Sequence, residues 1–190
     1  MKDGAARPLT PDEAASFAVL LFTAGTETVA RLLGNAAVIL AEHPDQRSEL
    51  TERTGLIPNA IEELLRYEAP SPVQGRWTTR PVELYGAAVP TKSKVLLLTG
   101  SAGRDDRAYP EPDRFDIHRR FDQHVSFGYG IHFCVGAALA RLEGRVALEE
   151  TLKRYPTWEV DLAGARRLHT STVRGWESVP IHIRPGARTG

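Results

Sequence analysis

The run Phe127-Gly128-Tyr129-Gly130-Ile131-His132-Phe133-Cys134-Val135-Gly136 holds the chain's single cysteine between glycines and aromatics. A solitary cysteine reads first as a small buried hydrophobe, but these flanks point to other chemistry. Gly128 and Gly130 tolerate positive φ and permit a tight turn beside the sulfur, while Gly136 lets backbone or a flat ligand approach closely. Turn amides and the N-terminal end of a following helix favour a thiolate. A thiolate flanked by aromatics, with no second protein ligand, is what one-sided ligation of a haem iron requires.

A second group, Ala24-Gly25-Thr26-Glu27-Thr28, is a polar island in an otherwise apolar stretch. Glu27 and Arg31 are spaced to pair along a helix, and threonine hydroxyls can bond the carbonyl one turn back, so a local structural reading stands. Against it, glycine costs about 1 kcal/mol relative to alanine inside a helix, and an acid beside a hydroxyl in apolar surroundings needs partners. Gly25 would open room for a small ligand, with Glu27 and Thr28 relaying protons to it. Glu63-Leu64-Leu65-Arg66 spaces an acid and a base for a helical ion pair, common on solvated faces. Arg76 follows Pro72-Val73-Gln74-Gly75 and suits bidentate pairing with a carboxylate. His43, His118, His124, His169 and His182 show no metal-ligand spacing, and exposed positions are expected for them.

Thr10-Pro11-Asp12-Glu13 predicts a helix start with a capping box, and the apolar pattern then runs to Glu42 before His43-Pro44 stops it. Such a helix spans roughly 48 Å at 1.5 Å per residue, and its nearly all-round apolarity predicts burial inside something larger. Shorter helices are expected from Pro44 to about Arg53 and from Asn59 to Tyr67, then strand-like text from Val73 to Gly100. The stretch from Ser101 to Gly130 exceeds the roughly 12 to 15 residues usual for structureless loops, so it should be functional or tightly packed. A helix from Val135 to Tyr155 follows, with Ala138, Leu139, Leu142, Val146 and Leu152 expected on the core face, and the segment from Ser178 to Arg184 alternates as a strand.

The chain has 190 residues, with 24 basic and 24 acidic side chains giving zero formal charge. No global field draws it to nucleic acid or an anionic membrane. One cysteine excludes disulfide frameworks and cysteine-rich metal sites. The first residues lack a signal-peptide layout, and a cytoplasmic location is expected. Ala14 to Leu40 is the strongest membrane candidate, yet it carries Glu27, Arg31 and Asn35, and a central charge costs about 2.5 to 3.5 kcal/mol on insertion scales.

The pattern Phe-x-x-Gly-x-His-x-Cys-x-Gly over residues 127–136 resembles the signature of the cytochrome P450 haem-thiolate monooxygenases, in their soluble bacterial form. The resemblance implies haem b, with Cys134 as axial iron ligand, Phe127 shielding the sulfur, His132 contacting a propionate, and Gly128 and Gly136 completing the cofactor loop. Gly25, Glu27 and Thr28 look like the family's oxygen-activation motif. Glu63 and Arg66, with Arg114 in Pro112-Asp113-Arg114-Phe115, resemble its structural triad, with Arg104, Arg107 and Arg119 nearby as alternatives for the third member, and Arg76 matches a propionate-pairing position.

By the same resemblance, O2 is a co-substrate and electrons come from a ferredoxin or similar redox protein, docking near Arg141 and Arg145. The residues facing substrate would be Leu20, Leu21 and Ala24, then Val73 and Gln74, then Thr172 and Val173. They are mostly apolar and suit a small lipophilic molecule. The implied fold is mainly α with small β-sheets (α+β), and residues 1–190 correspond to a single partial domain, about the C-terminal half of the family fold. The long helix would then expose an apolar flank. A catalytically silent haem-binding or partner-binding fragment is the alternative.

Overall fold

The computed structural model describes residues 7–120 and 122–184. The first six residues, on which the missing signal layout is read in part, lie outside the described residues. Helix α1 (Pro11–Glu42) starts where the sequence predicts. Thr10 Oγ1 accepts from the Glu13 amide at 3.2 Å, and the Glu13 carboxylate accepts from the Thr10 amide at 2.9 Å. After α2 (Pro44–Glu52) and a 3₁₀ turn (Thr54–Leu56) comes α3 (Ile57–Tyr67). Strands β1 (Gln74–Trp77), β2 (Val82–Leu84), β3 (Ala87–Val89) and β4 (Lys94–Leu97) precede the single-turn α4 (Thr99–Ala102). Beyond the long irregular stretch lie α5 (Ala137–Arg154), β5 (Thr157–Val160), β6 (Arg166–Arg167), β7 (Trp176–Ser178) and β8 (Ile181–Arg184).

The strands form four antiparallel pairs: β1 with β4, β2 with β3, β5 with β8, and β6 with β7. The β2–β3 hairpin turns through Tyr85 and Gly86, both at positive φ, the geometry a two-residue hairpin loop demands. Helices carry the core, in keeping with the α+β expectation. Leu32, Ala36, Ile39 and Leu40 of α1 meet Ile57, Ala60, Ile61 and Leu64 of α3 and Leu148 and Leu152 of α5, closed by Phe115, Ile117 and Trp158. Each large side chain so buried contributes about 1.5 to 3 kcal/mol. Gly144 sits at the crossing of the three helices, where an added Cβ would lie 3.2 Å from Ile61 and 3.3 Å from Leu32.

The apolar flank expected of the long helix is exposed, and the expected core face of α5 is corrected. Only the C-terminal half of α1 is in the core; residues 14–26 are all exposed, Phe22 being 74% accessible. This helix is, among the described residues, the one long and apolar enough to cross a membrane by length and composition. On α5 the core face is Ala137, Gly144, Leu148 and Leu152, while Leu139, Leu142 and Val146 point outward. Apolar periodicity marks both sides of this helix, and the close approach that Gly144 allows decides which side packs inward.

The irregular stretch is pinned, as its length demands. Arg66 Nη1 donates to the carbonyls of Gly103 and Pro112, both at 2.7 Å, and Asn59 donates to those of Ile117 and Arg119 at 2.6 and 3.0 Å.

Candidate functional site

The cysteine loop closes on itself through backbone bonds. The Cys134 amide donates to Phe127 O at 2.9 Å and the Phe133 amide to Gly130 O at 3.0 Å. Gly128 (φ +76°) and Gly130 (φ +64°) occupy the left-handed region that these turns need. Gly136 is the N-cap of α5, and a methyl added there would stand 4.0 Å from the Cys134 sulfur. Cys134 is exposed, and so are Ile131, Phe133 and Val135 around it. The buried-hydrophobe reading therefore gives way to a thiol presented on an apolar face.

Behind that face, Phe127 is held from two sides. Its ring centroid lies 6.0 Å from that of His124, and the Arg141 guanidinium stands 4.6 Å from the centroid. Arg141 donates Nε and Nη2 to the two Glu62 oxygens at 2.7 and 2.9 Å. His124 Nδ1 accepts from the Ser126 amide, which leaves the proton on Nε2, 2.9 Å from Glu62 Oε2. Burial pushes the Glu62 carboxyl up, but the hydrogen bonds from His124 and Arg141, with the Arg141 charge, outweigh it and hold it at about 2. One expectation changes here: His124 is buried instead of exposed. Arg141, expected near a docking partner, pairs with Glu62 and stays 41% exposed. Arg145 pairs with Glu149 at 3.8 Å.

On α1, Thr28 Oγ1 donates to Ala24 O and Thr26 Oγ1 to Phe22 O, both at 2.9 Å, the back-bonding of the local reading. Glu27 pairs with Arg31 at 3.5 Å and remains two-fifths exposed. A Cβ at Gly25 would meet nothing within 4 Å, so the glycine leaves open space beside Thr28. Arg31 also donates to the Trp176 carbonyl, tying α1 to the last hairpin.

Glu63 and Arg66 form a bidentate pair at 2.7 and 2.8 Å with both side chains fully buried. The third side chain is Arg119, whose Nε lies 3.3 Å from Glu63 Oε1. Arg114 is corrected: its guanidinium is 60% exposed and turns to Glu111, and only its carbonyl takes part, accepting from Arg66 at 3.2 Å and Arg119 at 2.9 Å. The motif around Arg114 supplies backbone, while the charge arrives five residues later.

Arg76 lies on β1, half-buried, donating only to the Gly75 carbonyl at 2.8 Å and making no ion pair among the described residues. His132 is exposed in the 3₁₀ turn Gly130–His132. Of the expected substrate-facing residues, Leu20, Leu21, Ala24 and Thr172 are exposed, and Val73, Gln74 and Val173 half-buried. Ser71 joins the last two groups: it accepts from Gln74 at 2.7 Å and donates to the Thr172 carbonyl at 3.2 Å.

A family model for cytochrome P450 matches residues 1–172. The 6-deoxyerythronolide B hydroxylase of Saccharopolyspora erythraea is 39% identical over 180 residues, covering 92% of this chain and 44% of that protein. CYP109Q5 from Chondromyces apiculatus superposes with a TM-score of 0.91 at 40% identity, covering 96% of this chain and 47% of that one. CYP109E1 from Bacillus megaterium in complex with testosterone superposes at 0.88 with 33% identity, covering 96% and 50%. The chain thus spans about half the length of the relatives it matches. Over that half, sequence and backbone follow theirs nearly end to end, and the chain belongs to the cytochrome P450 family.

Proposed function

We propose that this protein is a haem-thiolate monooxygenase, placing one atom of O2 into a small lipophilic substrate with electrons from a ferredoxin-type partner in the cytoplasm. The observation that carries the reading is the exposed Cys134 thiol at the mouth of α5, set among exposed Ile131, Phe133 and Val135. That donor set fits haem b: one soft ligand, an apolar face for a flat macrocycle, and in Arg76 and His132 two groups without carboxylate partners among the described residues, for its propionates. Bound there, haem supplies the activation of O2.

The chain's own residues do the rest. Cys134 would ligate the iron, held by the hydrogen bond from its amide to the Phe127 carbonyl, while Gly136 keeps the space beside the sulfur clear. Thr28 exchanges its back-bond to Ala24 for a proton-delivering role, and Glu27, exposed enough to meet solvent, resupplies the proton. Leu20, Leu21, Ala24 and Val73 offer apolar contact to substrate, and the testosterone held by CYP109E1 supports that class.

A carbon monoxide difference spectrum of the reduced, haem-reconstituted chain tests the reading. A red-shifted thiolate Soret band is expected, and Cys134→Ser should abolish it. No band overturns the monooxygenase reading for this polypeptide. The exposed apolar residues Phe17 to Phe22 then favour the second reading, a catalytically silent fragment that binds a partner.

A further inference from the structure

Resting on the haem-thiolate reading, we infer that Glu62 is a positioning residue: by gripping Arg141 and His124 at once, it clamps the Phe127 flank of the cysteine loop between α3 and α5. The loop's internal restraints are few. Two glycines at positive φ give it freedom, and its own bonds are the backbone ones from Gly128 to Val125, Phe133 to Gly130 and Cys134 to Phe127. Among the described residues its other ties run to α3 and α5: Ser126 Oγ donates to Leu65 O at 2.8 Å, His124 bonds Glu62, and Arg141 lies against the Phe127 ring.

Glu62 stands at the junction of these ties. Both its oxygens are used, by side chains from a loop and from a helix, 62 and 79 residues away in the chain. Charge-assisted bonds of this kind are the strong ones, and removing the acceptor would leave Arg141 without its counterion beside an aromatic ring. The adjacent Glu63 faces the other way, into the arginine pair that pins residues 103–119. Two successive carboxylates on α3 thus divide the irregular stretch, Glu63 holding its first part and Glu62 the part that carries the cysteine.

Hydrogen exchange of the ligand-free chain, read over residues 124–136, tests the clamp without any cofactor. Glu62→Gln is expected to speed exchange there about tenfold while residues 32–40 of α1 keep their protection. Arg141→Gln should act alike, and the double variant should add little to either. Unchanged exchange in the loop, or equal speeding in α1, overturns the inference. A second readout is the iron reduction potential of the haem-loaded chain. Glu62→Gln leaves a positive charge uncompensated near the loop and should raise it, whereas Arg141→Gln should lower it; shifts of the same sign overturn the assignment. Failure of the unaltered chain to take up haem would sink the function proposed above, while the exchange measurement still decides the clamp.

Discussion

Arg119 Nε lies 3.3 Å from Glu63 Oε1, so one buried carboxylate is shared by two arginines, Arg66 and Arg119, that approach it from a helix and from the loop it anchors. Glu63 also accepts from the Asp116 amide at 2.8 Å, and Arg119 donates to the carbonyls of Pro110 and Glu111 as well as that of Arg114. The cluster is thus a knot of side chains and backbone, and its members differ widely in burial.

That difference gives a ranked prediction. Removing one partner of a buried pair costs about 3 to 5 kcal/mol, which is expected for Arg66→Ala. Arg119→Ala should cost about 2 to 3 kcal/mol, since its charged bonds to Glu63 and to carbonyls all vanish. Arg114→Ala, removing an exposed pair, should cost about 0.5 kcal/mol or less. Urea midpoints of the three variants check the order, and equal losses for Arg114 and Arg119 would contradict it.

Gly103 offers a sterically defined test. Its carbonyl accepts from Arg66, and an added Cβ would fall 2.4 Å from the Arg66 carbonyl oxygen, a contact no side-chain rotation relieves. Gly103→Ala is expected to cost more than about 2 kcal/mol, within the range of overpacking and loss of a buried bond. By contrast Gly25→Ala, with nothing within 4 Å of the new methyl, should stabilise the helix by about 0.5 to 1 kcal/mol. Thermal unfolding of the pair reads opposite signs.

Acid stability follows from Glu62. Its folded value of about 2 lies below the unfolded carboxylate value of about 4.3. The stabilisation is therefore complete above the unfolded value and is lost as pH falls through the folded one. Glu62→Gln should lower stability at neutral pH, and its unfolding free energy should converge on that of the unaltered chain as pH approaches 2. A constant gap between the two curves would place the loss elsewhere.

Thr28 separates structure from chemistry. Among the described residues its hydroxyl returns only to the Ala24 carbonyl, a bond that does little for a helix. Thr28→Ala should leave the unfolding free energy from urea titration within about 0.5 kcal/mol of the unaltered chain. In turnover it should uncouple oxygen consumption from product; unchanged coupling counts against a proton-relay role.

The residues show why some of this was legible in the sequence and some was not. The capping box at Thr10 and Glu13, the glycine turns at Gly128 and Gly130 and the pair between Glu63 and Arg66 are local, so spacing alone predicts them. Arg119 could not be singled out from Arg104, Arg107 and Arg114, because an irregular stretch has no periodicity to say which side chain turns inward. Glu62 was masked by its neighbour Glu63, and its partners lie far along the chain. The outward stripe on α5 misled for another reason: two apolar faces on one helix are indistinguishable until Gly144 shows which packs closely.

The division of α1 has a mechanical consequence. Its C-terminal half is built into the core, its N-terminal half stands in solvent, and Arg31, bonded to the Trp176 carbonyl and packed against Gly175, marks the boundary. Such a helix is a cantilever, clamped at one end and free at the other, and bending stress in a cantilever concentrates just outside the clamp. That is where Gly25 and Thr28 lie. A partner packing on Phe17 to Phe22 would therefore bear first on Gly25 and Thr28, the residues proposed above for the oxygen site.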